Sequence, residues 1–316
     1  MKTHTKIYIA GHKGMVGGAV WRTLSDKGYS NLIGVSSKEL DLRNQQAVKD
    51  FVVKEKPDAI IVAAAKVGGI LANNSFPYRF LMENMQIQNN LIDAALQNGI
   101  DKFIFLGSSC IYPKMALQPL KEEYLLTGPL EPTNEWYAIA KISGVKACEA
   151  IRKQHGKDYV SLMPTNLYGT HDNFDLKSSH VLPAMIRKFH EAKNNNHSEV
   201  VLWGSGTPMR EFLFADDLAE AVVFALENKL PEYLYNIGTG VDLTIKELAE
   251  IIQNVVGHTG ELIWDSSKPD GTPRKLMDVS KIHALGWRHK TNLELGIKKT
   301  YKWFLENINE IKEVKL

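Results

Sequence analysis

Cysteine is scarce in this 316-residue chain, with Cys110 and Cys148 the only two. Two thiols build neither a disulfide framework nor a metal-ligand cluster. An excess of charge of one sign is also lacking: 38 Lys and Arg stand against 36 Asp and Glu, with no basic block and no acidic tail. On bulk electrostatics this excludes a dedicated nucleic-acid binder. Long hydrophobic runs are missing too. The longest, "AIIVAAAKVGGILA" at 59–72, is interrupted by Lys66 and falls short of the roughly 20 residues a membrane span needs. The opening "MKTHTKIYIAGHKG" has too short an apolar stretch for a signal peptide and runs directly into a glycine-rich turn. These absences leave a reduced, soluble, cytoplasmic globular protein without a metal cluster as the expectation. Its length allows one large core or two domains.

What is present is alternation. "KIYIAG" reads as a strand and "GMVGGAVWRTLSDKG" as a helix closed by Gly28. "NLIGVS" follows, then a helix over "NQQAVKDFVVKEK" and a continuously apolar strand in "DAIIVAAA". A long helix from about 77 to 98 precedes "KFIFLGSS", and another over 136–155 precedes "DYVSLMPTNLYG". Strands alternating with helices predict an α/β fold, a Rossmann-type doubly wound parallel sheet with helices on both faces. After Gly169 the regularity fails, although "EFLFADDLAEAVVFALEN" and "LYNIGTG" read as a return to the same core. The expected layout is a dinucleotide-binding domain over 1–169 with returning segments near 211–240. A smaller substrate domain interleaves over 170–210 and 241–316.

Gly11, Gly14 and Gly17 form G-x-x-G-x-x-G between the first strand and the first helix. Glycine there permits a tight turn, close approach of a pyrophosphate and packing of helix on strand. The helix N-terminus then offers free N–H groups to the anion. An NAD site usually carries an acid at the end of the second strand. Here Ser36, Ser37 and Lys38 stand in its place, and Lys13 adds a cation within the turn, so NADP is favoured. Solvated surface charge is the plain alternative for both lysines.

"WYAIAK" places Tyr137 and Lys141 four residues apart on one helix face. An ammonium there is expected to bring the phenol pKa down from near 10 toward the working range. A hydroxyl at a strand end, Ser108 or Ser109, can hold a carbonyl oxygen as charge develops on it. Between these features lies Cys110 in "GSSC". In an extended segment residues i and i+2 point the same way, so Cys110 is expected to share a cavity with Ser108.

With these motifs in place the chain resembles the extended short-chain dehydrogenase/reductase family. The resemblance runs through "GHKGMVG", "AAAKVGGI", "LGSSCIYPK", "EPTNEWYAIAKI", "MPTNLYG", "HDNF", "SSHVLPA", "WGSGTPMREFL" and "DGTPRKLMDV", which together cover almost the whole chain. More narrowly it resembles the branch that takes GDP-4-keto-6-deoxy-D-mannose, epimerises C3 and C5, and reduces the C4 ketone with NADPH to give GDP-L-fucose. The resemblance therefore implies a bifunctional oxidoreductase and isomerase. It assigns Cys110 as base, His180 of "SSHVLPA" as acid, Ser108 and Tyr137 to the carbonyl oxygen, and Lys141 as the catalytic ammonium beside the phenol. Implied NADP(H) contacts are Gly11, His12, Lys13, Gly14, Met15, Val16 and Gly17 in the turn, with Ser37 and Lys38 after the second strand. They continue at Leu106, Gly107, Ser108 and Ser109, at Tyr137 and Lys141, at Pro164, Thr165, Asn166 and Leu167, and at His180. Implied substrate contacts are Lys188, Trp203, Arg210 and Asp278. Lys188, Arg210 and Lys275 can neutralise a diphosphate, while Trp203 reads equally as core and Asp278 equally as a cap for a helix near Ser280. A homodimer through the helices near 80–98 and 136–155 is also implied. The rivals are another nucleotide-sugar 4-reductase, epimerase or dehydratase on the same fold, and a dinucleotide sensor without catalysis. Cys110 with His180 argues against the first, and the Ser108, Tyr137 and Lys141 set against the second.

Overall fold

The computed structural model describes residues 1–176, 178–268 and 270–310. Positions 177, 269 and 311–316 of the expected substrate domain lie outside the described residues. In chain order the elements of the first half are β1 (Ile7–Ala10), α1 (Met15–Asp26), β2 (Leu32–Ile33), α2 (Gln45–Glu55) and β3 (Ala59–Val62). They continue with α3 (Ile70–Ser75), α4 (Pro77–Gln97), β4 (Lys102–Leu106), α5 (Glu135–His155), β5 (Asp158–Pro164) and β6 (Asn166–Tyr168). The second half holds α6 (Val181–Asn194), β7 (Glu199–Trp203), β8 (Met209–Phe214), α7 (Ala215–Glu227), β9 (Leu234–Ile237) and β10 (Asp242–Thr244). It closes with α8 (Ile245–Val256), β11 (Glu261–Asp265), β12 (Arg274–Lys275), α9 (Ser280–Ala284) and α10 (Leu293–Asn307).

Six strands pair in the order β2-β1-β3-β4-β5-β9, all parallel. β1, β3 and β4 are buried along their whole length, as a strand covered on both faces must be. Phe103 of β4 stacks on Tyr159 of β5 at 4.9 Å between ring centroids. Phe103 and Phe105 are both fully buried, each contributing about 1.5–3 kcal/mol of burial free energy. The end of β4 is thereby a rigid platform. The strand order reverses between β1 and β3, so the crevice outside the carboxyl ends of these strands is where a ligand sits in such a sheet. The glycine turn follows β1, Ser108 to Cys110 follow β4, and Thr165 follows β5, all on that edge.

Three elements depart from the sequence reading. β2 is two residues long because Gly34 faces His12, where an added Cβ would fall 2.4 Å from the imidazole ring. The short α3 precedes the long helix and stops at Phe76, since the residue before a proline is driven out of helical geometry. β8, read as rejoining the main sheet, pairs instead with β10, β12 and β6. It carries Arg210 and Glu211, whose charges are costly on a parallel strand buried on both faces. Glu211 is fully buried only because Thr239, Gly240 and Met277 donate their backbone N–H groups to it. α7 and β9 do return to the main sheet, with Leu218, Val222 and Leu234 in its core. A second apolar cluster joins Phe174, Phe189, Leu248, Ile252 and Phe304 around α6, α8 and α10.

Candidate active site

The glycine turn forms a fitting cradle for a dinucleotide, and its glycines do unequal work. Gly11 has φ +86°, and an added Cβ would sit 2.7 Å from the Ala64 backbone nitrogen. At Gly17 it would sit 2.2 Å from the Gly11 carbonyl oxygen. Both positions are demanded by the chain's own packing. Gly14 is different: an added Cβ would meet only the Gly11 oxygen, at 3.4 Å. Gly14 is the exposed N-cap of α1 and no side chain caps it. The first N–H groups of this helix are therefore presented at the sheet edge, with a positive dipole end behind them. Among the described residues Lys13 has no carboxylate partner, and with Ser37 and Lys38 it is exposed. An acid does follow the second strand, at Glu39, beyond the three positions read as lacking one. Ser36 donates both its N–H (2.9 Å) and its hydroxyl (2.6 Å) to that carboxylate, so Glu39 closes its own turn.

The segment after β4 is not extended. Residues Ser109–Ile111 form one turn of 3₁₀ helix, and the Ser108 hydroxyl accepts the Cys110 N–H at 3.3 Å. The expected i, i+2 alignment of Ser108 with Cys110 is thus corrected: a tight turn, capped by the serine itself, brings thiol and hydroxyl to one wall. Tyr137 lies against both. Burial, with Cys110 adding to it, pushes the phenol pKa above its ordinary value, and a hydrogen bond with Ser108 opposes the rise.

Lys141 is buried, and burial pulls its ammonium down to about 7. Its Nζ donates to the Leu106 carbonyl at 2.8 Å and lies 4.8 Å from the Phe105 ring centroid, against 5.9 Å for the Tyr137 ring. The lowering of the phenol pKa expected from the tyrosine–lysine spacing does not arise, because low polarity disfavours charge on both partners. A phenol held protonated is, in consequence, a proton donor.

Around Cys110 the structure assembles groups far apart in sequence. Asn134 Nδ2 donates to Sγ at 3.4 Å, and Lys275 Nζ donates at 3.5 Å. His180, solvent-exposed at the N-cap of α6, feels the same ammonium: the surrounding protein disfavours the imidazolium and Lys275 adds to this. Lys275, read as a diphosphate partner, is thus placed at the thiol. Asn134 was missed; it lies within "EPTNEWY", but nothing local in that string marks an amide for a sulfur.

Arg210 is the register partner of Lys275 on β8, and burial lowers its pKa. Among the described residues neither has a carboxylate partner, which leaves two adjacent cations suited to an anion. Trp203 is exposed (62%) because β7 alternates, burying Val200 and Leu202 and turning Trp203 outward. Its ring lies 5.8 Å from both Lys188 and Lys268 Nζ. Asp278 accepts from the Ser280 N–H (2.9 Å) at the start of α9. Thr165 is buried with its hydroxyl donating to the Glu211 carbonyl at 3.3 Å, and Asn166 Nδ2 donates to the same oxygen at 2.8 Å. No helix among the described residues is long and apolar enough to cross a membrane.

A glycine-cradled helix end, a phenol–ammonium pair and a thiol on one edge of a parallel sheet define a nucleotide-dependent carbonyl enzyme. The family model for NAD dependent epimerases/dehydratases matches residues 7–238, and the chain belongs to that family. It is 55% identical over 311 residues to a GDP-L-fucose synthase of Escherichia coli, covering 96% of this chain and 97% of that protein. It is 56% identical over 303 residues to GDP-L-fucose synthase 1 of Arabidopsis thaliana, covering 96% and 94%. A GDP-L-fucose synthetase of Naegleria fowleri solved with NADP bound superposes with a TM-score of 0.91 at 30% identity, covering 99% of this chain and 96% of that one.

Proposed function

We propose that this chain converts GDP-4-keto-6-deoxy-D-mannose to GDP-L-fucose, epimerising C3 and C5 and then reducing the C4 ketone with NADPH. The observation that carries the reading is the meeting of Cys110, Ser108 and Tyr137 at one sheet edge, with Lys275 at the thiol and its charge felt by His180. A plain reductase needs the hydroxyl, phenol and ammonium; it has no use for a thiol and an imidazole beside them.

Protons on C3 and C5 both flank the ketone, so removing either leaves an enolate with its charge on the C4 oxygen. Cys110 Sγ takes the proton as the C–H bond breaks, while Ser108 and Tyr137 hold the oxygen. His180 returns a proton from the opposite face and the configuration inverts. Bound NADPH supplies the hydride that is added to C4. Tyr137 gives its proton to the oxygen in that step, and the Lys141 ammonium stabilises the phenolate left behind. The same two oxygen-binding groups serve all three events.

The turn from Gly11 to Gly17 with Ser37 and Lys38 holds the dinucleotide. Leu106 to Ser109 and Pro164 to Leu167 line its path toward the nicotinamide. Arg210 and Lys188 face the diphosphate and Trp203 the base or sugar, with Asp278 at the margin. In this reading the main sheet with its returning segments is the cofactor domain, and the second apolar cluster supports the substrate domain. The enzyme works as a homodimer in the cytoplasm, where Cys110 stays reduced. Tyr78, Trp136 and Ile139, exposed on α4 and α5, supply an apolar face for the second copy. Incubation of the purified protein with the keto sugar and NADPH or NADH, with the product sugar identified, tests the reading. GDP-L-fucose formed with preference for NADPH is the expected result, and a dehydrated or solely C4-epimerised sugar contradicts it. Sedimentation at micromolar concentration tests the dimer.

A further inference from the structure

We infer that Lys275 is the charge partner that makes Cys110 a base, holding the negative charge on Sγ that proton removal requires and aiming the sulfur with the help of Asn134. The inference rests on the base role assigned to Cys110 above.

Three observations lead to it. Both hydrogen bonds at Sγ are donated to the sulfur, from Lys275 at 3.5 Å and Asn134 at 3.4 Å. A neutral thiol would want an acceptor for its own proton; a thiolate wants donors, and a cation most of all. Asn134 offers the sulfur its Nδ2, while its amide oxygen is buried without a partner among the described residues.

Secondly, Lys275 is anchored, unlike a surface lysine. Its strand is in register with Arg210 of β8. The Leu276 N–H is fixed on Gln118 at 2.8 Å, and its carbonyl accepts the Leu120 N–H at 2.7 Å. The Met277 N–H rests on the buried Glu211 carboxylate at 2.9 Å. The ammonium is therefore delivered to the thiol by a braced segment.

Thirdly, among the described residues no carboxylate is paired with it. Glu131, near in sequence to Asn134, is engaged by Lys114 at 3.0 Å. The remaining polar groups on this wall are the Ser108 hydroxyl and the Tyr137 phenol, which are neutral. His180 completes the set, and the Lys275 charge disfavours its cationic form. The ammonium that sits at the sulfur thus also makes the acid readier to release its proton.

Alkylation of the resting enzyme tests this, because Cys148 is fully buried and iodoacetamide at neutral pH reports Cys110. Lys275→Met should slow alkylation about tenfold or more, the effect of removing an opposite charge this close. Lys275→Arg, which keeps the charge, should restore most of the rate. Thermal unfolding of each variant identifies any that is misfolded, and Lys275→Gln then replaces Lys275→Met. Wild-type alkylation rates in folded Lys275→Met and Lys275→Gln overturn the proposal. Deuterium exchange at C3 and C5 in Cys110→Ser separates it from the reading it rests on. Slowed alkylation in Lys275→Met with undiminished exchange in Cys110→Ser would support the ion pair and overturn the base role.

Discussion

Two ammonium groups stand beside two acids in one cleft, and they are held in opposite ways. Tyr137 and Lys141 lie on the same helix, with Lys141 sealed from solvent and turned to a backbone carbonyl. Cys110 and Lys275 come from segments 165 residues apart and meet at a half-exposed wall. The sealed pair keeps the phenol protonated and suited to donating. The open pair surrounds a sulfur with donors and suits it to accepting. Proton delivery and proton removal are thus served by ammonium groups of different burial, Lys141 buried and Lys275 half-exposed, within one site.

The largest break in this comparison is Tyr137→Phe. Loss of the proton donor should reduce NADPH oxidation about 10³-fold, the middle of the range for general acid catalysis, with cofactor affinity from fluorescence titration largely intact. Full turnover would remove the phenol from the mechanism. Cys110→Ser should lower C3 and C5 exchange about 10²-fold and leave reduction of the unepimerised ketone measurable. A normal fucose yield would leave the sulfur without its role.

The sealed pair also has a pH signature. With the Lys141 pKa lowered to about 7, the ammonium is present below that pH and lost as pH rises through it. The reductive step, isolated in Cys110→Ser, should then slow above pH 7 by up to tenfold per unit. Lys141→Met should be slow throughout and lack this limb; a wild-type rate flat from pH 6 to 9 would contradict it. The smallest expected effect is at the cradle. Gly14→Ala should unfold at the wild-type temperature yet raise the NADPH KM several-fold, since the added methyl would meet only the Gly11 oxygen, at 3.4 Å, and would stand in the turn proposed to hold the dinucleotide. Gly17→Ala, by contrast, should lose stability measurably in thermal melts.

The same comparison marks what was legible in the sequence. The glycine turn, the tyrosine–lysine spacing and the serine at a strand end are local patterns, and each sits where its spacing implied. The sheet followed from alternation, because a buried parallel strand leaves a continuous apolar run such as β3. The pairing of Cys110 with Lys275 was not legible, since it depends on β12 lying beside β8 in a sheet whose strands are only two to six residues long. The departure of β8 from the main sheet was hidden for a related reason. Its buried Glu211 is tolerated only by donors from two other segments, and no window of "MREFLF" contains them.

The central claim is that one site inverts two carbons and reduces a third. Turnover of GDP-4-keto-6-deoxy-D-mannose with NADPH in D₂O, followed by NMR of the product, tests it most directly. The account predicts GDP-L-fucose with deuterium at C3 and C5 and NADPH-derived hydrogen at C4. A C4-reduced sugar carrying no deuterium at C3 or C5 would contradict it.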